Sequence, residues 1–269
     1  MTTKTAKKVK VETDASIEKR LRERMEVLRL LTTAAMSGDA QAAIISGPPG
    51  LGKSYEIEEI LKQFDPNGLN TRQIKGYVRA TGLYKMLYAH RMPGQVLIFD
   101  DADSVFFDET ALNLLKAACD TTETRRISWM SEATFIDEET GDVIPTSFEF
   151  GGVVLFLTNI DFDHYIAKGH KLAPHLEAMI SRAHYVDMDM KSRRDYLVRI
   201  RMAINDGLLD GQGLTSAQKA DVIRFIETHY ESVRELSLRI AIKLANLRKM
   251  KCTDWEAVAR ITCLKTVKG

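Results

Sequence analysis

The chain has 269 residues, 45% of them hydrophobic and 28% charged, with a formal net charge of +1. This composition is ordinary for a globular protein. No apolar run approaches the 18 residues of a membrane span, and the N-terminus lacks the apolar stretch of a secretory signal. Three cysteines without a C-x-x-C pair exclude a disulfide framework and indicate a reducing compartment, so we expect a cytoplasmic protein that does not act at a membrane.

The charges are unevenly distributed along the chain. From residue 191 to the end there are 16 Lys and Arg against 9 Asp and Glu, a net charge of about +7. The first ten residues contain four lysines and no acid. This pattern is typical of a protein with an anionic partner such as nucleic acid, but a solvated helical surface would look the same, and the sequence leaves both open.

The first elements lead to a phosphate-binding motif. Residues 1–16 are polar and predicted to be disordered, 17–38 form an amphipathic helix, and 42–46 form an apolar strand. Residues 47–54 then match G-x-x-x-x-G-K-[ST] and open a helix, so their backbone N–H groups are expected to surround phosphate oxygens. Lys53 would reach the β- and γ-phosphates, and Ser54 would bind Mg²⁺. The predicted cofactor-binding residues are Gly47, Pro48, Pro49, Gly50, Leu51, Gly52, Lys53, Ser54 and Tyr55.

Further strands and helices alternate up to about residue 190. Apolar or strand-like segments at 70–78, 96–100, 151–159 and 184–188 alternate with helical patterns such as 82–91 and 109–120. Strands this continuously apolar predict a parallel sheet covered on both faces. After residue 191 only helical patterns follow, near 193–205, 216–230, 233–250 and 254–265. We therefore expect an α/β parallel-sheet domain over 17–190 and a small all-α domain over 191–269.

The segment VLIFDDADSVFF places acids directly after a strand expected to be buried. A buried carboxylate is costly unless something pairs with it, and a metal ion that carries phosphates would do so. Because the carboxyl ends of parallel strands meet at one edge, Asp100 and Asp101 should lie beside the phosphate loop. Asp100 would then reach Mg²⁺, and Asp101 would polarise the attacking water.

The phosphate loop, the acidic strand end, a later apolar strand ending in Asn and a C-terminal helical part together resemble the AAA+ ATPases over about residues 30–247. The stretch PTSFEFGGVVLFLTN also resembles small AAA+ proteins of phages and plasmids, which would place the protein in a host cytoplasm. The resemblance implies ATP and Mg²⁺ as cofactors, with Asn159 as sensor 1. It further implies a homo-oligomer, a hexameric ring or helical assembly, in which Arg182 reaches the neighbour's γ-phosphate and Arg239 acts as sensor 2.

One position departs from the family pattern. The usual pair of acids is Asp then Glu, whereas the second acid here is Asp101, one methylene shorter. Hydrolysis could proceed through a longer water bridge, or it could be slow. Slow hydrolysis would suit a nucleotide-gated switch better than a fast motor.

Two segments bear on the substrate. Tyr77, Val78 and Arg79 follow the second strand, where ring-forming relatives carry an aromatic pore loop that grips a polymer; the alternative is that Tyr77 and Val78 finish the strand. The alternating pattern near residues 125–150 predicts a β-hairpin insert like one found in a large AAA+ branch. At its start, Arg125 and Arg126 would contact nucleic acid, contact a neighbouring subunit or lie in water, three alternatives of equal standing.

The sequence thus predicts an oligomeric ATPase with DNA as its expected partner, such as a remodeller or loader in replication or recombination. A protein-remodelling ATPase that grips a polypeptide with Tyr77 is the alternative. A nucleotide-dependent scaffold with little turnover is a third, favoured by the short Asp101. No protein partner is identifiable from the sequence.

Overall fold

The structure, a computed structural model, describes residues 12–132, 134–137, 140–250 and 254–266. The chain divides into two compact units. The sheet unit comprises Arg24–Asp189, and the helical unit comprises the described parts of Met1–Glu23 and Met190–Gly269. Residues 1–11, most of the segment predicted to be disordered, lie outside the described residues. The first helix, α1 (Asp14–Ser37), already begins within that segment, and Ser16 N–H bonds the Thr13 hydroxyl at 3.2 Å near its start.

A five-stranded parallel sheet organises the sheet unit, and the parallel sheet predicted from the apolar strands is confirmed. The five strands are β1 (Ala42–Ser46), β2 (Thr71–Lys75), β3 (Val96–Asp100), β8 (Val153–Thr158) and β9 (His184–Asp187). The strand order is β2-β3-β8-β1-β9, with every neighbouring pair parallel. Every residue of β1, β3 and β8 is buried, which explains why these strands are apolar throughout.

Helices connect these strands and cover the sheet. The helices after α1 are α2 (Lys53–Phe64), α3 (Ala80–Ala89), α4 (Glu109–Ala118), α5 (Phe162–Ala167) and α6 (Ala173–Ile180), and a 3₁₀ turn spans Asp103–Phe106. The core is rich in aromatic side chains: Phe99 and Phe156 stack at 5.2 Å, and Phe106 packs edge-on against Phe162. This packing fixes the ends of β3 and β8 relative to each other.

The segment between α4 and β8 forms two short antiparallel pairs. The strand β4 (Arg126–Ser128) pairs with β7 (Ser147–Glu149), and β5 (Phe135–Ile136) pairs with β6 (Val143–Ile144). We call this segment the hairpin insert. Tyr84 of α3 anchors it, because its ring lies 5.2–5.7 Å from three aromatic rings of the insert and its hydroxyl donates to Pro145 O at 2.7 Å.

The two arginines at the start of the insert have different environments. Arg125 is buried, donates to Ala118 O and Gly152 O at 2.7 Å each, and lies over the Phe150 ring. All three predicted roles of Arg125, in contact with nucleic acid, in contact with a neighbouring subunit or in solvent, are therefore wrong, since carbonyl oxygens inside the fold hold its guanidinium. Arg126 is exposed and pairs with Glu149 across the strands at 2.7 Å.

The helical unit contains the four C-terminal helices and the first turns of α1, and the predicted all-α part is confirmed. The helices are α7 (Arg193–Asn205), α8 (Ser216–His229), α9 (Leu238–Lys249) and α10 (Trp255–Cys263), with a 3₁₀ turn at Asp210–Gln212. The helix predicted from residue 233 begins at Leu238, because Val233 instead forms a β-bridge with Leu264. Among the described residues, none of the helices combines the length and apolar character needed to cross a membrane.

Candidate nucleotide-binding site

The phosphate loop leaves β1 at the carboxyl edge of the sheet. Gly47 N–H donates to Thr158 O at 3.1 Å, and a Cβ atom at Gly47 would lie 2.7 Å from the Met188 Cβ, so only glycine fits there. Gly52 lies in the left-handed region at φ 94° and precedes α2 without a side-chain cap. The first N–H groups of α2 are thus arranged as in helix N-termini that bind phosphate.

Lys53 points back into the loop that precedes it. Its side chain is buried, and Nζ donates to Gly47 O, to Pro48 O at 3.0 Å and to Asn159 Oδ1 at 3.2 Å. A buried ammonium held by carbonyl oxygens matches the chemistry of a site that takes phosphate oxygens. Leu51 of the loop is buried, whereas Tyr55, on the first turn of α2, is 60% exposed.

Ser54 and Asp100 face each other across the start of α2 and the end of β3. Ser54 Oγ donates to Asp100 Oδ1 at 2.9 Å. A hydroxyl and a carboxylate oxygen at this separation are the hard ligands that Mg²⁺ prefers when it also binds phosphates. The Ser54 hydroxyl and the Asp100 carboxylate therefore fit a Mg²⁺ ion.

The second oxygen of Asp100 has partners that the sequence did not reveal. Gln73 Nε2 donates to Asp100 Oδ2 at 2.9 Å, and Lys75 Nζ lies 3.1 Å from the same oxygen. Burial opposes the charge of Lys75, but its hydrogen bonds to Asp100 and Glu58 raise its pKa above 10.5. In the sequence, the spacing of two residues between Gln73 and Lys75 predicts only that both side chains lie on the same face of the strand.

Asp101 has an unusual backbone. It lies in the left-handed region at φ 54°, where Asp and Asn are tolerated better than other side chains. Its N–H donates to Leu157 O at 3.0 Å, and its Oδ1 accepts from Asn159 Nδ2 at 2.7 Å. Asn159 therefore connects the exposed carboxylate of Asp101 to the ammonium of Lys53.

Asp103 is a further residue of the site, and its role was not predicted from the sequence. Its Oδ1 accepts from Thr158 Oγ1 at 2.6 Å and its Oδ2 from Asn159 N–H at 3.4 Å. Burial raises the pKa of Asp103, the two hydrogen bonds oppose that effect, and the nearby Asp101 adds to it. The carboxyl group fixes the end of β8 and with it the position of Asn159.

The two predicted arginines have contacts within their own units. Arg182 follows α6, about a third of its side chain is exposed, and it lies 3.6 Å from Asp120 and donates to Ala178 O. Arg239 belongs to the helical unit, is more than half exposed on α9, and faces Glu235 at 3.8 Å. Their assigned roles stay predictions.

The predicted pore-loop residues differ in exposure. The strand β2 ends at Lys75, and Tyr77 beyond it is 76% exposed. Val78 is buried at 5% and exchanges backbone hydrogen bonds with Ser104 Oγ, so its side chain belongs to the core and cannot grip a polymer. Arg79 is exposed just before α3.

The sheet order and the phosphate loop define the fold. The chain is similar in structure to RuvB of Thermotoga maritima, described as a Holliday junction branch migration motor, with a TM-score of 0.50 and 18% identity. This likeness covers 90% of the present chain and 68% of RuvB. The fold is that of the AAA+ P-loop ATPases.

A sequence relative defines the family more narrowly. The chain is 33% identical over 242 residues to an uncharacterized 36.7 kDa protein from the nrdC–mobD intergenic region of Enterobacteria phage T4. The match covers 89% of this chain and 73% of the phage protein. The chain belongs to the same family as this phage T4 protein, in agreement with the phage-type resemblance of its sequence. No protein-family model matches the chain.

Proposed function

We propose that the chain binds ATP with Mg²⁺ on the phosphate loop and hydrolyses it to ADP and phosphate. The observation that carries this proposal is the connected series Lys53–Asn159–Asp101, with contacts of 3.2 and 2.7 Å. It joins a cation suited to phosphate with an acid suited to activating water. Ser54 and Asp100 add the metal-binding pair beside it.

Each residue has a distinct part in the proposed reaction. Lys53 balances the charge that develops on the transferred phosphoryl group, while Asn159 and Asp101 orient the attacking water. Mg²⁺, when bound, neutralises phosphate charge and helps to align the β- and γ-phosphates. Asp103 holds Thr158 and the backbone of Asn159, and thereby positions the Asn159 side chain beside Asp101.

The test is nucleotide binding and steady-state ATPase of Lys53→Ala. We expect loss of measurable nucleotide binding, or at least a roughly 100-fold loss of turnover, because removing positioned charge from a transition state costs about two to three orders of magnitude. Lys62→Ala is the matched control, since Lys62 lies on the same helix and is exposed beside Glu59. Undiminished activity of Lys53→Ala would overturn the site assignment.

We further propose that the protein acts on DNA as a homo-oligomer. The helix α9 has the sequence LRIAIKLANLRK, which contains four basic residues and no acid. Lys243 and Lys249 are exposed on it. Phosphate neutralisation by such a surface makes binding fall steeply with salt. Arg182 acting at a neighbour's nucleotide, as the resemblance implies, would require self-assembly.

DNA binding is tested by affinity as a function of salt, together with ATPase stimulation by single-stranded DNA, duplex DNA and RNA. The double variant Lys243→Gln/Lys249→Gln should weaken binding and reduce the slope of log affinity against log salt by about one per lost phosphate contact. Lys219→Gln is the matched control, because Lys219 of α8 pairs with Asp210. A slope unchanged in the double variant would remove α9 from the interface.

Protein remodelling is the second candidate, and the exposed Tyr77 favours it. An aromatic side chain that is 76% exposed beside the glycine Gly76 suits a grip on a polypeptide. Such a grip would be nearly independent of salt, unlike phosphate contacts. Stimulation of the ATPase by an unfolded protein, with no stimulation by any nucleic acid, would favour this candidate.

A further inference from the structure

Lys75 lies beside the carboxylate assigned to the metal because of the strand register. In the parallel pair of β2 and β3, Lys75 is directly opposite Asp100. Residues opposite each other on neighbouring strands share a face of the sheet, and Gln73, two positions earlier, shares that face as well. Both side chains consequently reach the same oxygen, Asp100 Oδ2.

The two oxygens of Asp100 are thereby made unequal. Oδ2 accepts from Gln73 and faces the Lys75 ammonium at 3.1 Å, whereas Oδ1 faces Ser54 Oγ. The Asp100 side chain is only 3% exposed, and the Lys75 side chain is 56% exposed. The partly exposed ammonium of Lys75 therefore compensates the buried negative charge of Asp100. The same ammonium also lies 3.3 Å from the carboxylate of Glu58 on α2.

We propose that Lys75 is a positioning residue that weakens and restricts Mg²⁺ binding at Asp100. A cation already beside Oδ2 repels a divalent cation at Oδ1, and it keeps the carboxylate from binding the metal with both oxygens. The metal is then bound firmly only when the phosphates of a nucleotide supply additional ligands. This inference rests on the proposed nucleotide site, since it concerns the metal of that site.

The experiment measures binding of a fluorescent ATP analogue against free Mg²⁺, with parallel samples in chelator. In Lys75→Met, which keeps the length but removes the charge, half-saturating free Mg²⁺ should fall about three- to tenfold, the range expected for one partly screened charge near the metal. Affinity for the analogue in chelator should stay within about twofold. Lys75→Arg should behave like the parent, and Lys62→Met serves as the matched control because Lys62 is exposed on α2 and pairs with Glu59 instead of Asp100.

A second readout uses the metal without nucleotide. Binding of Mn²⁺ alone, followed by electron paramagnetic resonance, should be tighter in Lys75→Met than in the parent. An unchanged Mg²⁺ requirement, or a higher one, would overturn the inference, the latter because Lys75 would then be needed to hold Asp100 in place. If the parent bound no nucleotide at any Mg²⁺ concentration, the proposed function itself would fail, and that outcome is distinct from equal Mg²⁺ requirements in parent and variant.

Discussion

The left-handed backbone of Asp101 predicts that the glutamate usual at this position in AAA+ proteins will not improve the proposed ATPase activity. At φ 54°, Asp is favoured over longer side chains because its short carboxylate bonds groups close to its own backbone. In Asp101→Glu, the added methylene would displace the carboxylate from Asn159 Nδ2, now 2.7 Å away. Both effects act in the same direction, against the folded site.

The expected cost follows from these two effects. A left-handed residue without such local bonding costs about 1–2 kcal/mol, and the parent already bears part of this cost with Asp at position 101. The lost hydrogen bond adds about 1 kcal/mol. We expect Asp101→Glu to lower the free energy of unfolding by about 1–2 kcal/mol. For a chain of this size each kcal/mol lowers Tm by roughly 2–4 °C, which differential scanning calorimetry resolves.

The companion variant is Asp101→Asn. Asn tolerates the same backbone region and can still bond Asn159, so Tm should stay close to the parent while turnover is lost, because an amide cannot polarise water as a carboxylate does. Steady-state ATPase and thermal unfolding of both variants decide the matter. If Asp101→Glu were as stable as the parent and faster, the reasoning from the backbone would be refuted.

Three further predictions concern other parts of the chain. Arg182→Ala should lose turnover yet bind ATP, and mixing it with Asp101→Asn protein should restore some ATPase; no rescue would argue against an arginine acting between subunits. Tyr77→Ala should lower the ratio of polymer-stimulated to basal ATPase turnover, and an unchanged ratio would show that Tyr77 does not contact the polymer. Burial alone would raise the pKa of Asp195, but the hydrogen bond from Arg20 holds this pKa below its usual 3.8. The buried pair therefore stabilises the fold fully above about pH 5, and its contribution decreases as the pH falls below 3.8. Asp195→Asn should therefore cost roughly 3–5 kcal/mol at pH 7 in urea unfolding and markedly less at pH 3; equal losses at both pH values would contradict the ion-pair account.

Local patterns predicted the framework of the candidate site. The phosphate loop is a contiguous motif, and Asp100 ends a continuously apolar strand, so both positions follow from the sequence without knowledge of the fold. The parallel arrangement then implies that Asn159 ends near Asp101, and the structure brings the two within hydrogen-bonding distance. Such positions can be predicted because each depends on one segment and on the common direction of the strands; the roles of these residues stay predictions.

Two kinds of contact could not be predicted from the sequence: those that depend on the register between two strands, and those of a residue that is buried although its type is usually exposed. The contact of Lys75 with Asp100 depends on which residues of β2 and β3 are opposite each other, and the sequence does not contain that offset. Arg125 belongs to a residue type that is mostly exposed, yet carbonyl oxygens from two distant segments bury it. Val233 fits a helical pattern, but pairing with Leu264 excludes it from α9.

The guanidinium of Arg125 closes the base of the hairpin insert by joining the last residue of α4 to the residue before β8. These two hydrogen bonds hold the base of the insert together, so we expect a change at its far end to leave β8, and Asn159 just after it, in place. The turn at Gly141, exposed and left-handed at φ 75°, is accordingly a place for grafting a foreign peptide or a fluorescent tag. We expect insertions at this turn to leave the candidate nucleotide-binding site intact, which ATP-analogue binding by a Gly141 insertion variant would check.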